Sequence, residues 1–270
     1  MTAATEVRAD GAPEGPPEET ARQADASASG DAGWRALLLQ PALVLLGVVA
    51  FLVWRFTADL SDTEARQLGG EVLGNSIREH LLLTVVAAVI VLLIAIPLGI
   101  ALTRPRLRRL SPLVIGIANT GQAAPAIGLL VLLATWLGFG FGTTVVGLVI
   151  YAALPVLRNT IVGIQGVDAR LVEAGRGMGM SGRAVLLRVE LPLAVPVLLA
   201  GVRTALVLLV GTATLATFID GGGLGVLINT GITLSLDSLL ISGAVLVALL
   251  ALAVDWLGRV VEHVARPKGL

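Results

Sequence analysis

The 270-residue chain contains no cysteine, which excludes disulfides, thiol nucleophiles and thiolate metal sites, and leaves the redox compartment unread. It has a single lysine, Lys268. A phosphate-cradling Gly-x-x-x-x-Gly-Lys loop needs a lysine behind its glycines, so no nucleotide site is written in this chain. Aromatic residues make up 4%, with one tyrosine and five phenylalanines, too scattered to form an aromatic cage around a cation. Charged residues are 14% and balance to a formal net charge of zero. Without a basic tract, a nucleic-acid partner is excluded. Histidine is equally scarce. His80 and His263 read as interfacial residues at opposite membrane ends rather than a metal pair.

What the chain does have is apolar surface. With 56% hydrophobic residues and a mean hydropathy of +0.90, it lies outside the range of soluble domains and reads as an all-α polytopic membrane protein. Residues 1–33, built of Ala, Gly, Pro, Glu, Asp and Ser, cannot offset the entropy of ordering and are expected to be a disordered acidic tail. They lack the basic lead of a secretory signal. Six hydrophobic segments follow, at about 36–54, 81–103, 112–136, 143–163, 196–219 and 238–257. The second is 23 residues of near-continuous apolar sequence, roughly 34 Å of helix.

Arginine predicts the orientation. Four arginines lie in 104–109, five between Arg158 and Arg188, and Arg259, Arg266 and Lys268 follow the last span. These stretches are expected in the cytoplasm by the positive-inside rule, with both termini inside. Residues 55–79, 138–142 and 220–237 belong outside, and the tryptophans agree, with Trp34 and Trp256 at inner interfaces and Trp54 and Trp136 at outer ones. The sequence divides into the 1–33 tail, a first span and external loop over 34–80, a membrane domain over 81–260 with a large cytoplasmic loop at 164–195, and a tail over 261–270.

That loop interrupts two apolar runs with charged, glycine-punctuated sequence. Asp168 can cap a short helix, with Val167 and Val172 as a hydrophobic staple and Gly177 or Gly179 as a left-handed stop. Leu171, Ala174 or Gly175, and Met178 recur at helical spacing and form one apolar face, with Arg170, Glu173 and Arg176 elsewhere. A second helix can start at Ser181 and run to Pro192 and Pro196, which are expected to bend the chain into the fifth span. By periodicity alone this is an amphipathic knob of a kind common in polytopic proteins.

The motif spacing says more. Glu173-Ala174-Gly175, then Gly179, then Val189-Glu190-Leu191-Pro192 resembles the EAA motif of ABC importer permeases, with Gly175 in place of the second Ala and Val189 in place of an Ile. The wording of "GRGMGMS", "VELPLAVPVLLAGVRTA" and "GTATLATFIDGGGLGVLI" is similar to the osmoprotectant branch, for glycine betaine, carnitine and choline. The resemblance covers roughly 115–255, and Asp220 departs from the small residue expected there. It implies a type I, MetI-like transmembrane domain in the cell (inner) membrane whose loop helix docks in a cytoplasmic ABC ATPase. Glu173 would supply a charged contact, Ala174 and Gly175 the close approach, Gly179 the stop, and Leu191 and Pro192 a stiff lever. ATP and Mg would be bound by that partner, with no cofactor in this chain. An extracytoplasmic solute-binding protein and a second permease, a copy or a paralogue, are the other implied partners. The GGGLG at 221–225 reads as an outer turn that such a binding protein could meet.

A solute path is sought where helices break and polar groups enter spans. Asn119, Gln122 and helix-breaking Pro125 qualify in the third span, and Thr212 and Thr214 in the fifth, the threonines being equally able to bond back to their own helix. Arg203 reads as snorkelling to the cytoplasmic interface. Asp255 reads as the partner of Arg259 at i+4. No span carries a central carboxylate or a nucleophile with a base, which disfavours an ion-coupled secondary transporter and an intramembrane enzyme. A permease for another small solute, such as methionine, remains the nearer alternative.

Overall fold

The computed structural model describes the backbone of residues 18–265 and the side chains of residues 38–265. Every regular element among them is helical. The chain divides into two units, residues 1–39 and residues 40–270. Of the tail expected to be disordered, residues 1–17 lie outside the described residues. From Glu18 the backbone is already helical, in α1 (Glu18–Thr57), where Glu, Ala, Arg and Gln supply good helix propensity. Its apolar part, Leu38–Thr57, is long enough to cross a membrane.

The stretch expected as an external loop is also largely helical. α2 (Asp62–Gln67) opens on a capping box in which the Ser61 hydroxyl accepts from the Glu64 amide and the Glu64 carboxylate accepts from the Ser61 amide. α3 (Gly70–Thr103) begins well before the apolar run at Leu81. Its polar lead-in still carries Leu73 and Ile77 at i, i+4, and these pack with Leu68, Leu224, Leu227 and Leu239.

After a 3-10 turn at Arg108–Leu110 come α4 (Ser111–Ala123) and α5 (Ala126–Leu137), bent by 98° at the break between them. The single straight span expected at 112–136 is therefore two half-helices of roughly 20 and 18 Å, neither able to cross about 30 Å alone. Pro125 causes the break. It has no N–H to donate, and it holds Ala124 in an extended conformation (φ −63°, ψ 145°).

α6 (Phe141–Gln165) leads to α7 (Ala169–Gly177), α8 (Gly182–Val185), a π-helical turn at Leu186–Glu190 and α9 (Leu191–Ala213). A 3-10 stretch at Thr214–Ile219, then α10 (Gly225–Leu234) and α11 (Asp237–Ala265), complete the described chain. Residues 182–219 form one helical run without a sharp bend. Pro192 sits in the first turn of α9, where a missing N–H is tolerated, and Pro196 lies inside the helix.

The core joins α3, α6 and α9 through Leu83, Val91, Leu148, Val156, Ala205 and Leu209. In lipid, helix association rests on close van der Waals packing. Small residues permit it here: a Cβ on Gly99 would fall 2.6 Å from the Thr160 side chain, and one on Gly201 2.5 Å from Asn159.

The two ends of this bundle are identified by contacts. At one end Arg104, just past α3, meets Glu190 ahead of α9. At the other, the Gly140 amide ahead of α6 donates to the Ile219 carbonyl at 2.7 Å. The α4–α5 pair runs from the first end to the second, as a broken crossing does, and counted so the described residues hold up to six spans long and apolar enough to cross a membrane. We refer to the arginine-rich end and the glycine-loop end.

Candidate functional site

The arginine-rich end carries α7. The Asp168 carboxylate accepts from the Arg170 amide at 2.9 Å and caps the helix start. Its end is a Schellman motif: the Met180 amide donates to the Gly175 carbonyl at 3.1 Å and the Gly179 amide to Arg176 at 2.9 Å. Gly179 has φ +83°, where an L side chain would be strained. Ser181 then caps α8 by accepting from the Ala184 amide.

α7 packs on α8 and the π-helical turn through Gly175. That residue is buried, and a Cβ added there would meet Val185, Met180 and Val189 at 3.5–3.6 Å, an ordinary contact. The rest of α7 faces out. Glu173 and Ala174 are exposed, as are Leu171 at 48%, Met178 at 72% and, on the π-helical turn, Leu187 at 62%. An apolar strip with an acidic residue next to it thus stands on a small, capped helix. Leu191 packs with Ile164, Ala194 and Leu198, tying the segment to α6 and α9, while Pro192 is exposed.

Glu190, inside the same motif, is buried at 7% exposure. Its carboxylate accepts a forked pair of bonds from the Arg104 guanidinium, one of them at 3.3 Å. Sequence reading passed over this partner because 86 positions separate the two.

Midway along the bundle lies the α4–α5 break. The Tyr151 hydroxyl donates to the Ala124 carbonyl, satisfying an acceptor freed where the helix stops. Asn119 is exposed and Gln122 half-buried on α4, and Pro125 is the first residue ahead of α5. The threonines of the fifth span bond back along their own chain. Thr212 donates to the Leu208 carbonyl and Thr214 to the Gly211 carbonyl, each on its own helix and at 2.7 Å. α4 packs on α6, whereas α9 packs on α6, α3 and α11.

At the glycine-loop end, the outer turn read from GGGLG is clasped rather than free. Gly221, Gly223 and Leu224 are buried. The Gly223 amide donates to Glu79 at 3.0 Å and the Leu224 amide to His80 Nδ1 at 3.3 Å. His80 Nε2 lies 3.0 Å from the Val210 carbonyl, so the partners fit a neutral ring protonated at Nε2. His80 is fully buried among these partners. Arg203 likewise does not snorkel free: it pairs with Asp255 at 3.4 Å and Glu262 at 3.2 Å. Asp255 also holds Arg259 at i+4, as expected, and accepts from Gln40. Among the described residues no group of three or more His, Asp and Glu could hold a metal.

Residues 95–266 match the family described as the binding-protein-dependent transport system inner membrane component. The chain belongs to this family. It is a transport permease subunit and not an enzyme. It is 43% identical over 202 residues to the glycine betaine/carnitine/choline transport system permease protein OpuCB of Bacillus subtilis, an alignment covering 75% of this chain and 92% of the relative. The carnitine transport permease protein OpuCB of Listeria monocytogenes is 38% identical over 192 residues, 71% of this permease and 87% of that one. The osmoprotectant import permease protein OsmY of Salmonella typhimurium is 38% identical over 221 residues, covering 80% and 92%. In fold, the permease is similar to a chain of the inward-facing MetNI methionine ABC transporter, with a TM-score of 0.65 at 24% identity over 77% of this chain and all of that one. The MetI-like, type I transmembrane architecture is thereby established, and the protein is a multi-pass membrane component of an ABC importer. Such importers work with an ATPase and a solute-binding protein.

Proposed function

We propose that this permease forms the membrane pathway of an ATP-driven importer for small osmoprotectants of the glycine betaine, carnitine and choline class, and that α7 is the helix on which the ATPase acts. The observation that carries this reading is the α7–α8 segment. An ATPase can grip the exposed strip of Leu171, Ala174 and Met178, with Glu173 as a charged contact that fixes register. Gly175 and the Schellman cap at Gly179 keep the helix compact. Leu191, packed into the α6–α9 contact, and the Pro192 turn carry its displacement into the fifth span.

The arginine-rich end then lies in the cytoplasm, in accord with the positive-inside rule, and both termini are inside. ATP and Mg are bound by the ATPase, since this chain has no phosphate-binding loop. The binding protein delivers solute at the glycine-loop end and sets the solute range, because this chain lacks the aromatics to cage a quaternary ammonium. Asn119, Gln122 and Pro125 line the passage. Polar side chains at mid-bundle are costly against lipid, so the exposed α4 face turns to a second permease chain, a copy or a paralogue, rather than to acyl chains. Thr212 and Thr214, already satisfied by their own helix, narrow the passage without binding solute.

The test is Glu173→Lys in the complex with its ATPase. The variant is expected to insert normally but to hold the ATPase more weakly and lose ATP-driven uptake. Wild-type uptake would remove α7 from the coupling role.

A further inference from the structure

We infer that Arg104 and Glu190 are positioning residues for energy coupling: their ion pair ties the end of α3 to the α7–α9 segment, so that a displacement of α7 moves α3 together with α9. The inference rests on the reading of α7 as the ATPase-facing helix.

Four observations converge on it. Glu190 closes the π-helical turn Leu186–Glu190, the only link between α8 and α9, so any motion passed from α7 into the fifth span crosses this turn. π-Helical turns are rare insertions that concentrate at functional sites. Second, the partner comes from another element: Arg104 is the residue that ends α3, held in an extended conformation. The last turns of α3 lie hard against α6, where Gly99 leaves no room for a Cβ beside Thr160. The guanidinium therefore projects from a fixed base toward a turn that must move. Third, the pair is not arranged for greatest stability. The carboxylate is buried, and Arg104 Nε is buried without a hydrogen-bond partner among the described residues. The Arg104 side chain is 34% exposed, so the pairing only partly offsets the desolvation of the buried carboxylate, and an unmatched donor makes the balance worse. What the pair gives in return is a directional, two-point link that an apolar contact lacks.

Fourth, the first third of α3 is already joined to α9 and the loop beyond it. Glu79 and His80 hold the Gly223 and Leu224 amides, and His80 meets the Val210 carbonyl of α9. α3 is thus fastened at two levels, to α9 and the glycine loop here and to the turn ahead of α9 at Arg104. The Arg104–Glu190 tie is the one of the two that lies beside α7.

The experiment uses the full permease, reconstituted in vesicles with its ATPase and binding protein, with uptake and ATP hydrolysis measured together on glycine betaine, carnitine and choline in turn. Glu190→Gln and Arg104→Gln are expected to keep the ATPase bound and hydrolysing while uptake per ATP falls at least about fivefold, the lower range of measured coupling between sites. The exchanged pair, Arg104→Glu with Glu190→Arg, is expected to regain most of that ratio, which a merely structural contact would not require. A wild-type ratio in Glu190→Gln overturns the inference, as does an exchanged pair that assembles but stays uncoupled. If Glu190→Gln does not reach the membrane, the exchanged pair decides: assembly with a near-normal ratio supports the tie, and failure to assemble assigns the pair to folding and overturns it. Absence of solute-stimulated hydrolysis in the wild-type complex would instead count against the importer reading on which the inference rests.

Discussion

At the scale of single residues, Gly175 separates what motif spacing says from what packing allows. In the resemblance it replaces an alanine, a change that weakens a helix by about 1 kcal/mol. Since an added Cβ would meet its neighbours at 3.5–3.6 Å, Gly175→Ala is expected to raise stability by up to about 1 kcal/mol with transport retained, read as a higher unfolding temperature in detergent. A lower one would mean that α7 cannot accept the methyl group. The contrast is Gly225, where a Cβ would fall 1.9 Å from the Thr214 carbonyl oxygen, a clash that no side-chain shift relieves.

Glu64 gives a pH test outside the membrane spans. Bonds from the Ser61 hydroxyl and amide, with help from Ser238, hold its carboxyl below the usual carboxylate range, against a smaller opposing effect of burial. A lowered folded value means the stabilisation is fully present above the unfolded carboxylate value, about 4.3, and is lost as pH falls through the folded one. Acid titration of stability should therefore show a decline below that point, and Ser61→Ala, which brings the folded value back toward the unfolded one, should shrink that decline. An unchanged curve in Ser61→Ala would contradict the capping-box account. Such local bonds are legible in sequence, as Asp168 and Ser181 were, because their partners lie within three positions. Glu190, His80 and Arg203 were not, because their partners come from remote elements and nothing in a linear pattern pairs them.

At the scale of elements, hydropathy marks the apolar runs well, and the limits of the α6 and α11 spans differ from it by only a few residues at their first ends. It fails where a helix continues through polar sequence, since backbone hydrogen bonds do not stop at the membrane surface. That is why α3 begins at Gly70 and not at Leu81. Pro125 was legible as a breaker, yet the 98° bend was not, because its direction depends on what catches the freed backbone. Tyr151 does so. Tyr151→Phe leaves the Ala124 carbonyl unmatched and is expected to cost about 1 kcal/mol and to slow uptake, with ATPase binding unaffected. Wild-type stability and rate together would show that Pro125 alone sets the break.

At the scale of the whole molecule, scarcity shapes the account as much as structure does. The sequence has one lysine and few aromatics, and on the proposed reading energy and solute capture are left to partner subunits; what that reading asks of this chain is a path and a handle. The fold has a candidate for each: a mid-bundle break with polar side chains on the α4 face, and a capped amphipathic helix on the arginine-rich end. The family was legible from one motif because its spacing is fixed by the geometry of that helix and the turn into α9. The osmoprotectant class was legible from the wording of three further stretches, but not which member of it is carried.

The most direct measurement is uptake into vesicles holding the permease with its ATPase, with the binding protein and labelled glycine betaine, carnitine or choline on the outer side and ATP inside. The account predicts accumulation of at least one of these solutes that requires hydrolysable ATP and is lost in Glu173→Lys. Accumulation that persists without ATP and follows an imposed ion gradient would contradict it.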